Sequence, residues 1–166
     1  MRILVSVASR HGGTSDMGDT IAETLHAAGH EVTQLIPDDV EHVEQYDAAV
    51  LGSAVYVNRV ALGMRDLVDR QGGQLRDLPV WLFWSGPVGD SSSSGPATPD
   101  DVTTLARTIE ARDVRMFPGR LERSELNISE RALVALVKAE AGDFRDFEDV
   151  RQWAQGIASK LGALAQ

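Results

Sequence analysis

Apolar positions along this chain follow two periods, one of continuous short runs and one of helical spacing, and the two take turns from the first residues onward. The run Ile3-Leu4-Val5-Ser6-Val7 has the character of a strand buried on both faces. It gives way to Ile21, Ala22, Leu25 and Ala28, whose spacing predicts a helix over Thr14 to Ala28 closed by Gly29. Residues 30–35 (HEVTQL) alternate as a second strand, and 48–57 (AAVLGSAVYV) begin as a third that is apolar throughout. Residues 60–71 read as helix, and LPVWLFWSG at 78–86 is the most apolar strand of all. A helix then runs from about Pro99 to Ala111 with Asp100 and Asp101 in its first turn, and DVRMFPG at 113–119 predicts a fifth strand.

Strands that alternate with helices in this order need crossover connections, because parallel neighbours cannot be joined by a tight hairpin. The pattern therefore predicts an α/β fold of three layers, α/β/α, around a five-stranded parallel sheet. One segment breaks the rhythm. NISERALVALVKAEAG at 127–142 places Leu133, Leu136 and Val137 at amphipathic spacing before the closing helix in FEDVRQWAQGIASKLGALA. This reads as an insertion at about 120–145 whose helix packs on the sheet edge, in an otherwise single domain over 1–166. Its basic residues Arg123, Arg131 and Lys138 are nearly cancelled by Glu122, Glu125, Glu130 and Glu140, so weak or no membrane association is expected.

Composition narrows the function. The chain has 166 residues, 43% of them hydrophobic and 25% charged, with no apolar run near the about 18 to 20 residues of a membrane helix. The amino-terminal run lacks a small-residue cleavage site and reads as a buried first strand, so a cytoplasmic location is expected. A net charge of −9 disfavours nucleic acid as a partner. With no cysteine, thiolate metal sites and Cys nucleophiles are excluded, and redox chemistry requires a bound cofactor. The four histidines are scattered; His26 and His30 have i, i+4 spacing, but Gly29 ends the helix between them, so no metal site is expected.

The candidate chemistry lies in three loops, since ligands of open parallel sheets sit outside the carboxyl ends of the strands. Ser9-Arg10-His11-Gly12-Gly13-Thr14 leaves the first strand and opens a helix, which aims backbone N–H groups and a positive helix end at one spot. Gly12 and Gly13 permit close approach and positive φ, while Ser9 and Thr14 add hydroxyl donors. The alternative is a plain turn with Thr14 as N-cap. The stretch is neither a P-loop nor a G-x-G-x-x-G fingerprint. In the second loop, GSAVYVNR at 52–59, Tyr56 either stacks on a flat ring or packs against the sheet. The third, SGPVGDSSSSG at 85–95, offers amides and hydroxyls to a polar ring edge or is a plain loop. Trp84, just before it, is expected in the core rather than over a ring.

Ser9-x-His11-Gly12-x-Thr14 resembles the flavodoxin phosphate signature Ser/Thr-x-Thr-Gly-x-Thr, with His11 in place of a Thr. GSAVY and WSGPVGD fall where flavodoxin-like proteins place their two flavin loops. More narrowly, ASRHGGT, LGSAVYVNRVALGMRDLV, LFWSGPVGD and GDFRDFEDVRQWAQGIA resemble the branch containing menaquinone-dependent protoporphyrinogen IX dehydrogenases, which also carries a segment before its last helix. The resemblance implies a sheet order 2-1-3-4-5 and FMN as cofactor. It implies that Ser9, Arg10, His11, Gly12, Gly13 and Thr14 enclose the phosphate. Ser53, Ala54, Val55 and Tyr56 would flank one side of the ring, and Ser85, Gly86, Pro87, Val88 and Gly89 the other. The chemistry would then be borne by the flavin, with no catalytic side chain. The implied function is an FMN-binding oxidoreductase that passes electrons or hydride between an organic substrate, a porphyrinogen-type molecule among the candidates, and a quinone or redox partner protein. The alternatives are a diffusible electron carrier, which the acidic charge suits, and a non-redox interaction module whose flavin site has decayed.

Overall fold

The computed structural model describes residues 1–86, 97–136 and 141–166. Its sheet has the order β2-β1-β3-β5-β6, built from β1 (Arg2–Ala8), β2 (Glu31–Leu35), β3 (Ala48–Tyr56), β5 (Val80–Gly86) and β6 (Asp113–Pro118). These five strands are parallel, and counted without the short β4 (Arg59–Val60) they have the expected order 2-1-3-4-5. Val5 lies beside Val50 across β1 and β3, and Val50 beside Trp81 across β3 and β5.

Alternation along the strands divides the core in two. Leu4 and Ala8 of β1 join Leu51, Val55, Leu82 and Trp84 on one face, covered by α2 (Leu62–Arg76) and α3 (Asp100–Thr108). Trp84 is thus in the core. Ile3 and Val5 point the other way with Val50, Trp81 and Phe83, covered by α1 (Gly13–Ala27) and α5 (Phe147–Leu164). A strand buried on both faces is apolar at nearly every position, with Ser6 the buried exception in β1, which is why the first and fourth runs read so clearly. Gly52 is required in β3: a Cβ there would lie 2.2 Å from Cζ of Phe83, whose ring also packs at 5.9 and 6.0 Å from Phe117 and Trp153.

The third strand ends at Tyr56, one residue before the expected end. Val57 and Asn58 take φ of 50° and 61°, and the chain turns back as β4, antiparallel to β3. Two successive positive φ values mark a tight hairpin turn. Asn58 tolerates that conformation, whereas Val57 is strained in it.

Between β6 and α5 the chain forms β7 (Arg120–Leu121), a single 3₁₀ turn at Arg123–Glu125, α4 (Ile128–Leu136) and β8 (Gly142–Asp143), with β7 and β8 antiparallel. Its apolar cluster among the described residues is small: Leu121, Leu126 and Val134. The expected amphipathic face is corrected at Leu136, which is 79% exposed while Val134 is buried; the Leu133 side chain and Val137 lie outside what is described. The position also differs from the sheet edge. Glu130 of α4 faces Arg10 and His11, so the helix sits over the loop after β1, near the middle of the sheet. Among the described residues, no helix is long and apolar enough to cross a membrane.

Candidate functional site

The loop after β1 leaves a buried strand and enters α1 through Gly12, whose φ of 82° is the left-handed region that favours glycine. Thr14 is therefore not the N-cap but the second residue of the helix, and it is buried. The N-cap Gly12 offers no side chain to the helix, so the first-turn N–H groups are left for an outside acceptor. Ser9 shapes the turn, its Oγ accepting from the Gly12 N–H at 3.1 Å.

Ser9, Arg10, His11, Gly13 and Thr14 line one cavity with Ala54 and Tyr56 from the end of β3 and Ser85 and Gly86 from the end of β5. The loop after β1 and the ends of β3 and β5, far apart in sequence, thus meet at the carboxyl end of the sheet, where the order reverses. Ser53 and Val55 belong to the same strand but face elsewhere. Ser53 is 1% exposed, its Oγ donating to Ala54 O at 2.8 Å and accepting from the Ala61 N–H at 3.1 Å, while Val55 is packed in the core. Pro87, Val88 and Gly89 lie outside the described residues.

The cavity has further walls that the sequence did not announce: Gly119, Arg120 and Leu121, just beyond β6. A Cβ on Gly119 would lie 2.7 Å from Ser85 Oγ, so only glycine lets the chain pass this close to the end of β5. Arg120 then lies across the phosphate-type loop, Nη2 donating to His11 O at 2.9 Å, with its Cβ 3.5 Å from where a Gly13 Cβ would stand. The available signal was the position of Pro118-Gly119 at a fifth strand end, the same kind of place that singled out the other three loops.

Charges at the cavity come in opposed sets. Arg10, Arg120 and the start of α1 are positive; Glu122 and Glu125 face Arg120, and Glu130 pairs with Arg10 Nε and stands 3.4 Å from His11 Nε2. The Asn127 N–H, with Arg10 and His11, holds the Glu130 carboxyl below its ordinary value despite burial. Tyr56 meets the His11 ring edge-on at 6.3 Å. Burial and the nearby Glu130 charge push its phenol up, so it stays neutral as a wall or hydrogen-bond donor. A wider groove of about 600 Å³ adjoins the cavity and shares Ser9, Arg10, Ala54 and Tyr56 with it.

The arrangement offers the uncapped start of α1 to an anion, beside a cavity of about 20 Å³ at the ends of β3 and β5 that adjoins the wider groove. The family model of the flavodoxin domain matches residues 4–148. A flavodoxin variant from Pseudomonas aeruginosa superposes with a TM-score of 0.63 at 16% identity, over 96% of this chain and 97% of that one. A flavodoxin from Streptococcus pneumonia gives 0.62 at 17% identity, over 96% and 99%. A flavone reductase gives 0.63 at 16% identity, and there the chain is covered in full while spanning 65% of the other protein. At these identities the structural likeness is one of fold. No curated protein matches the chain.

Proposed function

The chain belongs to the flavodoxin domain family and takes FMN as its cofactor, and on that premise we propose that it is an oxidoreductase passing electrons or hydride between an organic substrate and a quinone or protein acceptor. The observation that carries the reading is the meeting of the loop after β1 with the ends of β3 and β5 at one cavity, with the start of a 15-residue helix left without a side-chain cap.

The residues fit the cofactor. The phosphate is assigned to the backbone of residues 9–14, to the hydroxyls of Ser9 and Thr14, and to the charge of Arg120; a dianion at the start of α1 is favoured by the helix dipole. Ala54 and Tyr56 on one side and Ser85 and Gly86 on the other flank the ring, with Ser53 and Val55 shaping the end of β3 from behind. Gly86 suits this place, for a Cβ there would stand 3.3 Å from Val55 O. When bound, FMN supplies one- or two-electron transfer at its ring. The chain binds, orients and partly shields it, and the neutral Tyr56 phenol adds no charge to the ring edge. Resemblance to the protoporphyrinogen dehydrogenase branch makes a porphyrinogen the first organic substrate to assay.

A diffusible electron carrier is the second reading, favoured by the net charge of −9, which suits docking on basic partner surfaces. Both are tested by loading the protein with FMN, reducing it anaerobically, and following reoxidation by menadione and by cytochrome c. Turnover of a porphyrinogen with quinone reduction supports the oxidoreductase. Rapid exchange with proteins and no small-molecule turnover supports the carrier, and failure to take up flavin overturns both.

A further inference from the structure

The segment after β6 sets carboxylates against the cations of the cradle, and one of them differs from the rest. Glu122 and Glu125 reach Arg120 from exposed positions, whereas Glu130 is 8% exposed. Its two oxygens have separate tasks. Oε2 accepts from the Asn127 N–H at 2.8 Å while Asn127 Oδ1 accepts from the Glu130 N–H at 2.9 Å, a reciprocal cap that starts α4. Oε1 faces Arg10 Nε and His11 Nε2, both in the loop to which the phosphate is assigned. At 3.4 Å the imidazole contact is too long for a good hydrogen bond, which leaves the buried His11 Nε2 without a hydrogen-bond partner while Glu130 Oε1 keeps its ion pair with Arg10.

We propose that Glu130 competes with the flavin phosphate for Arg10 and His11, and so sets how strongly this cradle prefers FMN over riboflavin. The inference rests on the reading that residues 9–14 hold the phosphate. A carboxylate and a phosphate call on the same donors, and two anions close together repel. The cap on Oε2 keeps Glu130 from swinging away, so the repulsion persists once the phosphate is in place. Glu130 and His11 are largely removed from water, so their contact is screened less than that with the more exposed Arg10. Arg10 and His11 are therefore donors that the phosphate must share with Glu130, while riboflavin, which has no phosphate, is indifferent to the outcome.

Glu130→Gln tests this directly. The amide keeps an acceptor for the Asn127 N–H, so α4 retains its cap, and the charge is lost. Titrations followed by flavin fluorescence are expected to show FMN binding about tenfold tighter, equivalent to about 1.4 kcal/mol, with riboflavin unchanged. Arg10→Ala is expected to weaken FMN binding more in the Glu130→Gln background than in the wild type. Unchanged or weaker FMN binding by Glu130→Gln overturns the competition, the latter pointing to a carboxylate that instead aims Arg10 and His11 at the phosphate. An equal gain for riboflavin overturns it as well. Wild-type protein that binds the two flavins alike overturns the phosphate reading and this inference together. A wild-type preference for FMN that Glu130→Gln leaves untouched overturns the competition alone.

Discussion

On one side of the cavity, Ala54 and Ser85 stand at the ends of strands whose preceding residues, Leu51 and Phe83 among them, are fully or almost fully removed from water. On the other side, Arg120 and Leu121 belong to a two-residue strand paired with another of two residues, behind which lies, among the described residues, a cluster of three apolar side chains. Ion pairs replace the missing core there. Arg145, with a side chain only 9% exposed, binds Asp143 at 2.8 Å and Asp16 of α1 at 2.6 Å, and lies 5.0 Å over the Phe147 ring. The first side is fixed by burial, which no local change of charge can undo. The second is fixed by charge, and charge can be retuned by a ligand or by pH.

The largest expected effect breaks the first side. Gly52→Val forces a branched side chain into the space of the Phe83 ring and is expected to cost about 3 kcal/mol in urea unfolding, taking flavin binding with it. A smaller effect breaks the second. Arg145→Met removes the charged hydrogen bonds to Asp16 and Asp143, with an expected loss of about 2 kcal/mol. Hydrogen exchange should quicken in β7, β8 and α4 and stay unchanged in β1 and β3; equal quickening in both regions would mean that the two sides are one cooperative unit.

The smallest effect is a pH dependence. Arg145 holds the Asp143 carboxyl from its ordinary 3.8 down to about 2. A carboxyl whose folded value is depressed adds stability that is present above about pH 4 and lost as pH falls to about 2. Asp143 is half-exposed, so solvent screening keeps the contribution small. Acid unfolding of Asp143→Asn should show a shallower loss of stability than the wild type in that window, and an identical slope would remove Asp143 from the account.

The same contrast decides what was legible in the sequence. The double-sided apolar runs at 3–7 and 78–86 gave away their strands because burial on both faces leaves few polar positions, Ser6 and Ser85 being small enough to be buried, and the candidate loops followed from where such strands end. Composition did not reveal the hairpin after Tyr56, since Val57 in a positive-φ turn contradicts its own preference. Arg120 and Glu130 were missed as partners of the first loop because a pair such as Arg120 with His11 O spans 109 residues and charges carry no period. Leu136 was assigned to a buried face by its spacing, but it is 79% exposed.

The most direct test of the central claim is the ratio of the dissociation constants of FMN and riboflavin for the wild-type protein, measured by flavin fluorescence at one ionic strength. Several charge-assisted hydrogen bonds to a phosphate at Ser9–Thr14 predict FMN tighter by a factor of about 100 or more. Equal affinities, or a preference for riboflavin, would contradict the assignment of this loop to the phosphate.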